Sequence, residues 1–324
     1  TVDGLYINAT GSEPINLSCI TEVTGTLEIE NTTAPSIDLS GVNTVGGQLL
    51  IRENTDLETV YLTGLASVGS HMDIKNNDEL RTVYAAGLNS VGGHFDMGYN
   101  EELNAVELGS LTTLGAFLRV RDNYDLSEFS APNLVSVHDW SEIESNHTMT
   151  TLDLSGLEYT TDNLLITSHS TLNDIRLDSL TSVGGSLYVN NANSLLDLTV
   201  PSLETIGYNL EIRNNSNLRS INLPAFDETG NTIQIEDNGD LETVEADALT
   251  TVGYSIIFRN NPDLYIISMD VISCVTDFVI ESHSLSDDDY IALLSTLTCT
   301  PEGSLSVFGG DDASEEETDT TDTT

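Results

Sequence analysis

The chain has 324 residues, with 53 acidic and 9 basic side chains and a formal net charge of −44. Nucleic acid and anionic membrane are excluded as partners, because both need a basic footprint, and no apolar run is long enough to span a bilayer. Hydrophobic residues make up 39%, low for a globular enzyme but adequate where the core is one narrow column. The acidity fits cation-rich surroundings such as high salt, seawater or divalent ions, or simply solubility and self-repulsion over a long surface.

From the N-terminus, Leu5-x-Ile7, Leu27-x-Ile29 and Leu49-x-Ile51 align at a step of 22 residues, as do Ile15/Leu17 and Ile37/Leu39. From Val45 the step is 23, landing on Val68, Val91, Leu114, Val137, Thr160, Val183, Ile206, Thr229, Val252 and Val275. A period held that long is an architecture. The template V-G-G-x-L-x-I-x-x-N-x-x-L-x-x-V-x-L-x-x-L-x-x has apolar residues at alternate positions, the signature of strands with one side facing in. Two-residue polar steps between them mark corners. One such coil cannot bury its apolar side alone; stacked at about 4.8 Å on its neighbours it builds a continuous column. The pattern predicts an all-β fold, a right-handed β-solenoid of about 23-residue coils over residues 1–283. Leu187, Val189, Leu195, Leu198, Val200, Leu203 and Ile206 are expected inside, with Tyr188 and Asn190 outside. The first coil shows no capping element ahead of it, so a preceding segment, a glycan or a second subunit is expected to cover it.

Columns at this period also carry polar groups. Asn54, Asn77, Asn100, Asn123, Asn146, Asn215, Asn238 and Asn261 share one column, with His169, Ala192 and Ser284 as departures. Superposed inward amides can bond the turn backbone and each other, a structural ladder without chemistry. His71, His94, Phe117 and Trp140 occupy another column in four successive coils. Their rings should stack along one edge of a sheet, either as a strip for protein or glycan contact or as stabilisation of that edge. Tyr99 and Tyr124 lie nearby in sequence. Asp73, Asp96, Glu142 and Glu211 fall in one outward column, beside Arg52, Lys75, Arg121, Arg213 and Arg259, and read as cross-strand charge pairs. No carboxylate couple stands apart from its column, and no His/Cys spacing suits a metal. The chain is therefore read as non-enzymatic and free of cofactors. A polysaccharide-active β-helix is the enzymatic alternative. Around Trp140–Thr161 the template weakens, which marks an insertion, a bend, a binding site or plain drift.

After Ile280 the register breaks. Ser286 followed by Asp287-Asp288-Asp289 reads as the start of a capping helix within residues 284–300. Leu285, Ile291 and Leu294 are placed to cover the last coil. Residues 301–324 read as a connector with one short apolar run, Leu305-Ser306-Val307-Phe308, and an acidic Thr-rich tail. Cys274 closes the final coil and Cys299 follows the helix, so a Cys274–Cys299 disulfide would pin the cap. Cys19 falls in a column of glycines and serines and is expected to be a small, buried thiol. Sequons begin at Asn8, Asn16, Asn31, Asn146 and Asn214, which fits a secreted, mature chain; Asn146 also belongs to the inward ladder.

The repeats SVGGSLYVNNANSLLDLTVPSLETIG and TVGGQLLIRENTDLETVYLTGLASVG resemble the receptor L-domain superfamily of leucine-rich solenoids. They are similar especially to its fungal cell-wall proteins, which carry a GPI anchor after a Ser/Thr-rich tail. The resemblance spans Leu5–Cys299 and implies an extracellular, non-enzymatic surface protein. Two readings follow: a structural subunit that assembles with itself or with other surface proteins and glycans into a filament or wall layer, and a ligand-binding receptor or adhesin ectodomain. The long regular body favours the first.

Overall fold

The computed structural model describes residues 1–8, 11–269, 275–281, 283–286, the single positions 288, 293 and 295, and the backbone of 305–308. Strands of two to six residues follow one another around a three-sided coil, and every pairing between coils is parallel and in register. The first side is a 14-stranded sheet running in chain order from Leu5–Ile7 to Leu305–Phe308. The second side is an 11-stranded sheet of two-residue strands, from Glu22–Val23 to Thr251–Val252. The chain is thus an all-β parallel solenoid, as the 23-residue step predicts.

Its interior follows from the alternation. Leu187, Val189, Leu195, Leu198, Val200, Leu203 and Ile206 are all buried, and the same columns run the length of the body. Tyr188 and Asn190 lie on the outer side, half-buried. Each coil contributes only a handful of apolar side chains, so the core exists by stacking, and Phe95, Phe129, Phe226, Phe258 and Phe278 are its largest fully buried side chains. Between the first side and the third, each coil turns through one residue with positive φ. Eleven non-glycine residues, from Asn31 to Asn260, hold φ between 53° and 63°. Seven of the eleven are Asn or Asp, the residues that enter the left-handed region at least cost.

The next residue is the ladder asparagine. Asn100 shows the arrangement: its Nδ2 donates to Ile74 O at 2.9 Å and Asn123 Oδ1 at 3.1 Å, and its Oδ1 accepts from Asn77 N and Nδ2, both at 3.1 Å. Asn54, Asn77, Asn123, Asn215 and Asn238 repeat these bonds, and Asn261 donates to Ile235 O at 2.9 Å. Each amide closes a corner whose backbone groups would otherwise be buried unpaired. At His169 and Ala192 the amides are missing. There the corner backbones pair directly, His169 with Ala192, and the first-side strands lengthen to Leu164–His169 and Leu187–Ala192.

The third side is broken into runs of five, three and four strands. The breaks fall between Ala105–Glu107 and Glu128–Ser130, and between Asp174–Arg176 and Asp197–Thr199. At each, the inward residue before the break, Val106 or Ile175, is only partly buried. The second break adjoins the corner that lacks its amides.

The weak repeat at Trp140–Thr161 keeps its register: Ser141 pairs between Leu118 and Leu164. Drift therefore describes this stretch, with no insertion. Ser141 occupies a core position, fully buried, with its Oγ unpartnered. An orphan buried hydroxyl costs on the order of 1–3 kcal/mol, so Ser141→Ala should raise unfolding stability by about 1 kcal/mol in urea denaturation.

Two expectations change. Cys19 is exposed rather than buried. Its equivalent Gly41 lies against the Ser18 carbonyl of the coil before it, whereas no described residue takes that place against Cys19. The run Leu305–Phe308 is more than a connector: it pairs in parallel with Asp277–Glu281 as the fourteenth strand of the first sheet. In the cap, Leu293 is buried within the core and Leu285 packs against it. Asp288, Leu293 and Ser295 are helical; Ile291, Leu294, Cys274, Cys299 and the tail lie outside the described residues.

Candidate interaction face

The outward surface of the first sheet carries a stack of rings beside rows of paired charges. Just before its strands, His71, His94, Phe117 and Trp140 stand one above another. Successive centroids are 4.0, 4.3 and 4.4 Å apart, with interplanar angles of 12°, 6° and 10°. All four are half-buried, so they present edges to solvent and faces to one another. Space for the first ring comes from Gly93, where a Cβ would collide with His71 Nδ1.

Polar contacts fix the histidines. His71 Nδ1 accepts the backbone N–H of His94 at 3.3 Å, which places the His71 proton on Nε2. His94 Nε2 meets Asp73 Oδ1 at 2.8 Å. Burial, and next the neighbouring His94, hold His71 below the usual histidine pKa; Asp73 pulls the other way. At the other end of the stack, the Arg119 guanidinium lies over Trp140 at 4.5 Å and Phe117 at 5.4 Å, while its Nε donates to Glu142 at 2.7 Å. In the next coils the column turns polar and continues as bonds from Ser186 N to Asn163 Oδ1, Asn209 N to Ser186 Oγ and Thr232 N to Asn209 Oδ1.

Beside the rings run the charge rows. Lys75 reaches Asp96 at 3.0 Å and Asp73 at 3.2 Å, Arg52 meets Glu28 at 2.8 Å, and Arg213 lies 3.6 Å from Glu211 and 3.4 Å from Glu236. Arg259 bridges Glu236 and Glu281 at 3.7 and 3.2 Å. Asp73 and Asp96 point outward yet are buried, 7% and 3% exposed. Rings cover them on one flank and the Lys75 and Arg119 stems on the other. Glu144 sits on the same face; burial, with Glu142 and Asp122 beside it, pushes its carboxyl up, against Arg121. Periodicity could assign these columns but not the depth of each side chain.

Tyr99 and Tyr124 lie at the opposite edge of this sheet and do not extend the stack. Tyr99 carries the Arg121 guanidinium 4.9 Å above its ring, and Tyr124 stacks on His147 at 5.4 Å. On the third side Tyr61 stacks on Tyr84 at 5.3 Å. Among the sequons, Asn8, Asn16, Asn31 and Asn214 are exposed. Asn146 is withdrawn as a glycosylation candidate: it is fully buried, donates to Val120 O and accepts from Asn123. Among the described residues no group of three or more His, Cys, Asp or Glu is arranged to hold a metal ion.

His169, in the ladder column, faces two acceptors, with Nδ1 3.2 Å from Asn146 O and Nε2 3.0 Å from Ile143 O. Burial lowers its pKa, and these two carbonyls pull it back up only in part. A group depressed in the folded state adds stability above the ordinary histidine pKa of about 6.5, lost as pH falls through the lowered value. His169→Asn removes that contribution and restores the amide. Its loss of urea stability between pH 7 and pH 5 should therefore be smaller than that of the parent chain. Equal losses would reject a titrating His169.

The geometry defines a repeat solenoid with a lateral, ring-lined and charge-paired face. No family model matches the chain, and no curated protein matches it. Among solved structures it is similar to a leucine-rich repeat protein from Bacteroides ovatus, at 14% identity over 86% of each chain with a TM-score of 0.21. At that score the solenoid rests on its own register and burial.

Proposed function

We propose that this chain is an extracellular structural or cell-surface protein, without catalytic activity, that acts through protein or glycan contacts along the first sheet. The supporting observation is the stack of His71, His94, Phe117 and Trp140 on a rigid face, where aromatic groups are already ordered and lose little entropy on contact. The receptor L-domain-like reading belongs to this proposal, as do glycans at the exposed Asn8, Asn16, Asn31 and Asn214. In its assembled form the protein is a filament or wall layer. At −44 charges per copy, assembly needs screening by salt or divalent cations.

Trp140 is the only tryptophan, so its fluorescence reports on this face directly. Surface extract or soluble glycans from the native source should shift its emission, and Trp140→Ala should weaken binding at least tenfold. Binding unchanged by Trp140→Ala would move the contact elsewhere. Sedimentation in low salt, high salt and calcium tests assembly, and a monomer under all three would reject it.

A further inference from the structure

The break between strands Asp174–Arg176 and Asp197–Thr199 is a slot with chemistry of its own. In neighbouring coils the third side is closed by Arg219 N to Leu196 O at 2.7 Å and Leu154 N to Arg176 O at 3.0 Å. The equivalent bonds here, Leu196 N to Asn173 O and Leu177 N to Thr199 O, are not made. Those four groups have no partner among the described residues. Both ends of the opening are tied, by Ser194 Oγ to Ser170 O at 2.8 Å and Ser202 Oγ to Asp178 O at 2.7 Å. The result is a cavity of about 430 Å³ lined by Asn173, Asp174, Ile175, Arg176, Asp178, Asp197 and Thr199.

Each lip offers one backbone donor and one acceptor. A metal ion would use only the acceptors and a guanidinium would likewise supply donors alone, whereas a peptide main chain supplies both in alternation. Around the mouth stand three carboxylates and one cation, Arg176, which is already paired to Asp174 at 2.7 Å. Leu196, 46% exposed, and the partly buried Ile175 add apolar contact. We propose that this slot binds an extended polypeptide segment of basic, alternating character from a partner protein, by pairing its main chain with the open edges. The slot lies on the third side, so the proposal stands apart from the ring-lined face.

The test uses the full chain with a capped octapeptide of alternating lysine and valine, at physiological ionic strength. Two controls accompany it: the same peptide with alternate backbone nitrogens methylated, and the double variant Asp178→Asn/Asp197→Asn. Binding is followed by fluorescence anisotropy, and main-chain pairing by amide hydrogen exchange. The expected result is slowed exchange at Leu177 and Leu196 with the plain peptide. Affinity should fall at least tenfold for the methylated peptide and for the variant, and stay unchanged in Trp140→Ala. Absence of binding, equal affinity of the methylated peptide, or binding without protection at those two amides would each overturn the proposal. The last two outcomes would describe adsorption to an acidic surface.

Discussion

Replacing Asn100 with alanine should lower unfolding stability by about 3–5 kcal/mol, far more than loss of one surface amide. The side chain is fully buried and takes part in four hydrogen bonds: to Ile74 O and Asn123 Oδ1 as donor, and from Asn77 N and Nδ2 as acceptor. Alanine leaves those partners buried without replacements, and each such group costs on the order of 1–3 kcal/mol. Water is a poor substitute, because the site is enclosed by the coils on either side. The damage should be local, since stability in a solenoid is carried by nearest neighbours. Hydrogen exchange should therefore rise around residues 74–77 and 97–103 before it rises in the C-terminal coils. A change below about 1 kcal/mol would mean that the ladder is dispensable.

Leu187→Asp should be more severe. Leu187 is fully buried and pairs in register between Leu164 and Leu210. No lysine or arginine is among the buried residues, and the one ladder-column histidine beside this coil, His169, is held neutral by burial and bonded to two carbonyls. A carboxylate there would therefore be an unpaired buried charge, costing several kcal/mol even after it shifts toward its neutral form. Tyr188→Asp, one residue away on the outer side, is the matched control, because strand neighbours face opposite ways. Circular dichroism and urea unfolding should show loss of cooperative structure for Leu187→Asp and nearly parental behaviour for Tyr188→Asp. Similar effects at both positions would mean that the register is wrong by one residue.

Much of this fold was legible because the repeat leaves few choices. Val183, Leu187, Val189 and Leu198 recur at one step, and a strand period allows only one side of the coil to face in. The same step brought His71, His94, Phe117 and Trp140 into line. What periodicity could not reach is set by neighbours in space. Asp73 and Asp96 share a column with the half-buried Glu211, yet both are buried, because rings and the Lys75 and Arg119 stems close over them. Cys19 matches a glycine column, but among the described residues no preceding coil packs on it as Ser18 packs on Gly41. The open third side at Asp174–Arg176 lies in the coils where His169 and Ala192 replace the ladder amides. A second break, after Ala105–Glu107, falls where Asn100 and Asn123 are in place, so the missing amides alone do not set it.

Residues one coil apart in sequence stand in straight columns, and that alignment builds both the core and the ring-lined face. Spin-label distances along one column test it most directly. Ser67 and Thr205 lie in the second sheet six coils apart, and Ser67 and Thr251 eight coils apart. At about 4.8 Å per coil the separations should be near 29 and 38 Å, growing linearly with coil number. Equal separations for the two pairs, or a shorter distance for the second, would contradict it.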